Sequence, residues 1–315
     1  MKILFIDTVH PVLRERLEGM GMTCEENYTG SKEEVLEQLK NCHGLVLRSR
    51  IVLDREFLLH ARHLHFVARS GSGLENIDLI TAQEQDIAVI NSPEGNRDAV
   101  AEQAIGMILM LFNNMKRADS EVRENIWKRE ENRGLELCGK TFGIIGYGVM
   151  GMALAKRLDG FGCRVIAHDK YKEHFSDPHV EEVSLEELKR ESDIISLHLP
   201  GTTDTHHYIN ADFIDSCGKP FFLINTARGV HVSLDDLANG LQSGKVRGAC
   251  LDVLELEKSS FEELGDKGQN PAWAYITEQD NVVLSPHVAG WTQESYVKLS
   301  SFLADKIERI YADQD

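Results

Sequence analysis

Short apolar runs alternate with amphipathic segments along almost the whole chain. Runs at 3–6, 45–47, 64–68 and 88–90 are rich in branched and aromatic side chains, which predicts short buried strands. Between them, Ser31-Lys-Glu-Glu34 reads as a capping box opening a helix over 35–39. A second strand–helix series starts at Thr141-Phe-Gly-Ile-Ile145 and continues through 164–168, 193–199, 221–225, 248–253 and 281–285. Such alternation predicts α/β architecture with doubly wound parallel sheets. A helical stretch over 98–124 is expected to connect the two series, and a last helix over 293–311 to return to the first. No repeat or Gly/Ser-rich linker separates them.

The 315 residues leave room for two domains with a cleft between them, where small-molecule sites tend to form. Thirty-four Lys and Arg against 51 Asp and Glu give a net charge of −17, which would repel a nucleic-acid backbone. It does not exclude an anionic substrate, because a few local arginines can dominate the field in a cleft. The six cysteines stand singly, with no C-x-x-C pair, so buried thiols in a reducing compartment and no metal site are expected. The amino terminus, one short apolar run followed by charges, reads as a first strand rather than a signal peptide. No apolar stretch approaches the ~20 residues of a membrane helix. A cytoplasmic protein without membrane partners is expected.

Chemistry enters at Gly146-Tyr147-Gly148-Val149-Met150-Gly151, which follows an apolar strand and opens a helix. Gly146 permits the tight turn, Gly148 lets the main chain approach a pyrophosphate, and Gly151 lets helix and strand pack closely. N–H groups at the helix start then face the phosphates. Asp169 closes the next strand, where a carboxylate accepts from the adenosine ribose hydroxyls and repels a 2′-phosphate. Together these predict NAD rather than NADP as the cofactor.

Three later motifs each place polar residues just after an apolar strand. They are Ile224-Asn-Thr-Ala-Arg228-Gly, Leu251-Asp252-Val-Leu-Glu-Leu-Glu257 and Leu284-Ser-Pro-His287-Val-Ala-Gly290. In open α/β sheets ligands bind beyond these carboxyl ends. An Arg, a Glu and a His converging there suit carbonyl chemistry. The Arg would hold a substrate carboxylate and polarise a carbonyl, the His would exchange the alcohol proton, and the Glu would orient the imidazole and favour its charged form. Each residue alone has a plainer explanation. Arg228 can cap a helix, Glu257 belongs to an acidic stretch, and most of the 13 histidines, His206 and His207 included, read as surface or structural groups.

At these motifs the chain resembles the D-isomer-specific 2-hydroxyacid dehydrogenases, nearly end to end. The resemblance implies a Rossmann NAD-binding domain, 96–289, inserted in a flavodoxin-like substrate domain formed by 1–95 and 290–315. It implies a homodimer acting on a small 2-hydroxy or 2-oxo acid. It places Arg228, Glu257 and His287 on the family's catalytic Arg, Glu and His. Val149 and Met150 fall at the pyrophosphate, and Thr226, Ala227 and Asp252 fall towards the nicotinamide, with His287 and Gly290 beyond. Ser72 and Gly73 match the loop that binds the substrate carboxylate.

Leu47-Arg48-Ser49-Arg50 and Asn91-Ser-Pro-Glu-Gly-Asn96 resemble substrate contacts of 3-phosphoglycerate dehydrogenases. They imply 3-phosphoglycerate or 3-phosphohydroxypyruvate as substrate, in serine biosynthesis, and a short form without the regulatory domain. The plainer alternative for Arg48 and Arg50 is a strand-end cap. The sequence departs from the pattern at Leu254, at Lys258 after the Glu, and in a longer 261–275 segment. Two other functions remain: a glyoxylate/hydroxypyruvate reductase or another D-2-hydroxyacid dehydrogenase, and, in a different class, an NAD-sensing corepressor.

Overall fold

The computed structural model describes residues 1–257, 265 and 270–312; Lys258 and residues 261–264 and 266–269 of the 261–275 segment lie outside the described residues. The chain divides into two compact units, Met1–Arg97 with Trp291–Asp315, and Asp98–Gly290. Every ladder between the strands named below is parallel.

The first unit carries β1 (Lys2–Phe5), β2 (Thr23–Glu26), β3 (Gly44–Leu47), β4 (Phe66–Arg69) and β5 (Ala88–Asn91), in the spatial order β2-β1-β3-β4-β5. This is the flavodoxin-like order, which reverses direction between β1 and β3. β3 is buried along its whole length, as expected of a central parallel strand covered on both faces. β2 was not anticipated: its Thr-Cys-Glu-Glu sequence buries only Cys24, because an edge strand can stay polar. The helices are α1 (Pro11–Gly19), α2 (Lys32–Leu39), α3 (Arg55–His60) and α4 (Leu79–Glu84). Ser31 and Glu34 form the reciprocal capping box of α2. The C-terminal helix, Gln293–Ala312, packs Leu303, Ala304 and Ile307 into one core cluster with Leu13 and Leu17 of α1. Arg16 of α1 adds ion pairs to Asp305, at 2.7 Å, and to Glu308.

The second unit contains α5 (Arg97–Phe112, starting at the boundary), α6 (Met115–Arg123), α7 (Val149–Leu158), α8 (Leu185–Glu191), α9 (Ala211–Ser216), α10 (Leu234–Gln242) and α11 (Pro271–Glu278). Its strands are β6 (Thr141–Ile145), β7 (Arg164–His168), β8 (Glu181–Glu182), β9 (Ile194–Leu197), β10 (Phe221–Asn225), β11 (Val246–Leu251) and β12 (Val282–Leu284). They lie in the order β8-β7-β6-β9-β10-β11-β12, the dinucleotide-binding arrangement with its reversal between β6 and β9.

The single helix expected over 98–124 is two. Asn114 takes a left-handed conformation, φ 50°, which ends the apolar, largely buried α5 and starts the solvent-facing α6. The cysteines also differ from expectation: Cys138 is exposed and Cys163 half-buried, while the other four are buried. No helix among the described residues is long and apolar enough to cross a membrane, and these residues hold no cluster of metal-ligating side chains.

Candidate active site

The glycine turn sits at the reversal of the second sheet. Gly146 has φ +93°, and a Cβ there would lie 2.5 Å from the His198 carbonyl oxygen, so the loops after β6 and β9 pass main chain to main chain. A Cβ on Gly151 would lie 2.3 Å from the Gly146 oxygen, which seats α7 directly on the turn. At Gly148 the opposite holds. Beyond its chain neighbours, no described atom comes within 4 Å of the Cβ position, leaving an open cradle before the first-turn N–H groups of Val149 and Met150.

Tyr147, between these glycines, locks the turn to the segment after β7. Its N–H donates to Asp169 at 2.8 Å, its carbonyl accepts from Lys172 Nζ at 2.8 Å, and its hydroxyl donates to Asp177 at 2.9 Å. Its ring stacks on Phe175. Asp169 also accepts from the N–H groups of Tyr171 and Lys172, at 2.9 and 3.1 Å. Burial alone would raise this carboxyl, but the three main-chain donors outweigh it and hold the group below the ordinary carboxylate range. Three bonds still leave acceptor capacity on the two oxygens for a ribose hydroxyl. The cation beside it, Lys170, pairs with Asp204 at 3.2 Å.

After β10, the buried Asn225 shapes the next loop. Its Oδ1 accepts from Ala227 N–H at 3.1 Å and its Nδ2 donates to the Arg228 carbonyl at 2.8 Å. Thr226 is buried, and its hydroxyl has no hydrogen-bond partner among the described residues. A buried hydroxyl without a partner is costly, so a ligand's polar group is a fitting complement. The open cradle at Gly148 and the Thr226 hydroxyl both fit a dinucleotide.

Asp252, 1% exposed at the end of β11, organises the histidine loop. Its carboxylate accepts from the Ser285 hydroxyl at 2.6 Å and from the N–H groups of Val288 and Ala289, both at 2.9 Å. Its carbonyl accepts from His287 N–H at 2.7 Å. Held in this way, His287 adopts φ 55°, and its Nδ1 lies 2.6 Å from Glu257 Oε2. The other Glu257 oxygen accepts from Leu254 N–H, which fixes the carboxylate. Gly290 ends the loop and the unit. Arg228 extends from the neighbouring loop, its Nη1 donating to the Ala227 carbonyl at 2.6 Å. Half-buried His198 also lies at this end of the sheet, but desolvation pushes it down to about 4, so it is neutral at physiological pH.

The residues expected to touch substrate in the first unit have other engagements. Arg50, expected as a donor to a substrate phosphate, ties down main chain here: its guanidinium donates to the carbonyls of Ile6 (2.9 Å), Gly30 (2.7 Å) and Asn27 (2.9 Å). Ser49 contributes its N–H to Asp7 at 3.1 Å. The Arg48 guanidinium lies over the indole of Trp291, 4.2 Å from the ring centroid. Ser72 donates to Asn96 Oδ1 at 2.6 Å and accepts at its carbonyl from Asn91, with half-buried Gly73 following. Trp291 and Asp7 were not anticipated. Asp7 had a signal, an acid directly after an apolar strand, as at Asp169 and Asp252.

Residues 105–289 match the family model for the NAD binding domain of the D-isomer specific 2-hydroxyacid dehydrogenases. The chain is 36% identical to a hydroxypyruvate reductase of Thermotoga maritima over 276 residues, 88% of this chain and 87% of that protein. It is 34% identical to a D-3-phosphoglycerate dehydrogenase of Methanocaldococcus jannaschii over 314 residues, covering 98% of this chain but only 57% of that longer protein. The crystal structure of a D-lactate dehydrogenase from Aquifex aeolicus, complexed with NAD and lactic acid, superposes with a TM-score of 0.83 at 28% identity, over 99% of this chain and 96% of that one. With the dinucleotide-binding sheet, the open glycine cradle and these matches in hand, the chain belongs to the D-isomer specific 2-hydroxyacid dehydrogenase family and carries its NAD-binding domain.

Proposed function

We propose that this protein interconverts a small 2-oxo acid and its D-2-hydroxy acid with NAD(H), using Arg228, Glu257 and His287. The observation that carries the reading is the 2.6 Å contact between His287 Nδ1 and Glu257, at the carboxyl edge of the sheet that bears the glycine turn. The second unit is then the cofactor domain and the first the substrate domain. Gly146 to Gly151, Asp169, Thr226, Ala227, Asp252 and Gly290 line the cofactor. Bound NADH supplies the hydride. Arg228 holds the substrate carboxylate and polarises the carbonyl through its planar fork. With Nδ1 committed to Glu257, His287 delivers the alcohol proton through Nε2. Ser72 and Gly73 offer main-chain N–H groups to the carboxylate.

For the substrate, the engagement of Arg50 with three carbonyls favours an unphosphorylated acid such as hydroxypyruvate or glyoxylate. The second reading is 3-phosphohydroxypyruvate, and with it a place in serine biosynthesis, supported by Arg48 and by the likeness to D-3-phosphoglycerate dehydrogenases. The protein is read as a cytoplasmic homodimer, a state that light scattering would test.

Initial rates with hydroxypyruvate, glyoxylate and 3-phosphohydroxypyruvate, each with NADH and with NADPH, test the proposal. NADH-dependent reduction of hydroxypyruvate is expected to dominate, and Arg50→Ala should leave the preference between the phosphorylated and unphosphorylated acids unchanged. No turnover of any 2-oxo acid would refute the reading. A preference for the phosphorylated acid that is lost in Arg48→Ala would select the second reading.

A further inference from the structure

A second histidine–carboxylate pair reaches the loop that carries Glu257. His207 Nε2 meets Glu255 Oε2 at 2.7 Å, and Glu255 Oε1 accepts from Leu234 N–H at 3.1 Å at the start of α10. Because a carboxylate oxygen can only accept, the proton of this contact sits on Nε2. Like His287, His207 has a left-handed main chain, φ 47°, an uncommon conformation for a residue with a Cβ. In that conformation its N–H donates to the Val230 carbonyl at 2.7 Å, two residues beyond Arg228, and Ile209 N–H donates to His231 at 2.9 Å. The Arg228 loop in turn lies against the Glu257 loop: a Cβ on Gly229 would come within 2.0 Å of the Leu254 carbonyl. Residue His207 therefore touches both loops, one through its main chain and the other through its imidazole.

We propose that His207 is a positioning residue. Anchored on the Arg228 loop, it grips Glu255 and so holds Glu257, two residues on, in register with His287. The proposal rests on the reading of Glu257 and His287 as the catalytic pair. A surface ion pair left to itself contributes little, but this one is only half open, with the Glu255 side chain 20% exposed, and Glu255 is pinned at both oxygens. Catalysis is sensitive to such placement, since a shift of about 1 Å can cost on the order of 100-fold in rate.

A mutant cycle tests it, reading kcat, KM, NADH dissociation constant and melting temperature for His207→Ala, Glu257→Gln and the double variant. His207→Ala is expected to lower kcat about tenfold while NADH affinity stays within roughly twofold. In the Glu257→Gln background the same change should lower kcat less than about twofold, because the group being positioned is gone. His207→Gln, which restores an N–H donor, should recover most of the loss. If His207→Ala does not fold, Glu255→Gln takes its place in the cycle. Equal losses in both backgrounds, or a lower melting temperature with unchanged kcat, would overturn the proposal. Unchanged kcat in Glu257→Gln alone would overturn the catalytic pair itself, a result distinct from failure of the bridge.

Discussion

The two units have the same kind of sheet and treat its reversal point in opposite ways. In the first unit the crevice between β1 and β3 is filled by the protein's own anion. Asp7 Oδ2 accepts from the N–H groups of Arg48, Ser49 and Arg50, at 2.6, 3.1 and 3.3 Å. Consecutive main-chain donors of this kind make an anion nest. In the second unit the crevice between β6 and β9 is lined by Gly146, Gly148 and Gly151, and the space beside Gly148 is open. The topology places a candidate site at both points. Among the described residues the second point keeps space beside a glycine, whereas at the first an aspartate takes up the main-chain donors. The arginines follow the same division: Arg50 braces carbonyls around the filled crevice, whereas Arg228 extends from the loop beside the histidine–glutamate pair.

The contrast can be broken most severely at Arg228. Arg228→Ala should lower kcat/KM by about 10³-fold or more if, as proposed, Arg228 supplies both a charge-assisted carboxylate contact and the polarising group. Steady-state rates check this, and a loss under tenfold would return Arg228 to a loop-bracing role like that of Arg50.

Next comes Asp7→Ala, which should destabilise the first unit by about 2 kcal/mol through three N–H groups left without their acceptor. If Asp7 is a built-in anion, sulfate should raise the melting temperature of the variant more than that of wild type. Equal responses to sulfate would remove the anion interpretation.

A smaller effect is expected at Gly148, where an added Cβ meets no described atom within 4 Å beyond its chain neighbours. Gly148→Val should weaken NADH binding roughly tenfold or more, by filling the cradle proposed for the pyrophosphate, while the melting temperature barely moves. Fluorescence titration and thermal melting separate the two, and unchanged affinity would place the dinucleotide elsewhere.

The smallest effect is one of pH. Because Asp169 is held below the ordinary carboxylate range, its contribution is complete above the unfolded value of about 3.9 and fades only as pH falls through its lower folded value. The stability difference between wild type and Asp169→Asn should therefore stay constant from pH 8 to about 5 and shrink below about 4. Urea midpoints across that range test it, and a difference that already shrinks at pH 6 would contradict the hydrogen-bond assignment.

Much of this was legible in the sequence, and the exceptions have physical causes. Alternating apolar runs located the central strands because those strands are buried on both faces. β2 and β8 escaped because edge strands can be polar, and β8 is the two-residue Glu181–Glu182. The break between α5 and α6 turns on one residue, Asn114, whose left-handed conformation has no periodic signature. At the candidate site, glycine spacing and strand-end placement pointed to the turn and to His287 and Glu257. Neither the grip of Arg50 on distant carbonyls nor the His207–Glu255 pair could be read, because each joins residues twenty or more positions apart with no local pattern between them.

His287 is the proposed proton-exchanging group, and a single turnover isolates its contribution. Enzyme premixed with NADH is mixed with hydroxypyruvate, and loss of NADH absorbance is followed in wild type and His287→Ala. Equal NADH binding by both proteins is expected, with a chemical step slower by about 10²–10⁴-fold in the variant. A variant that oxidises its bound NADH at the wild-type rate would contradict it.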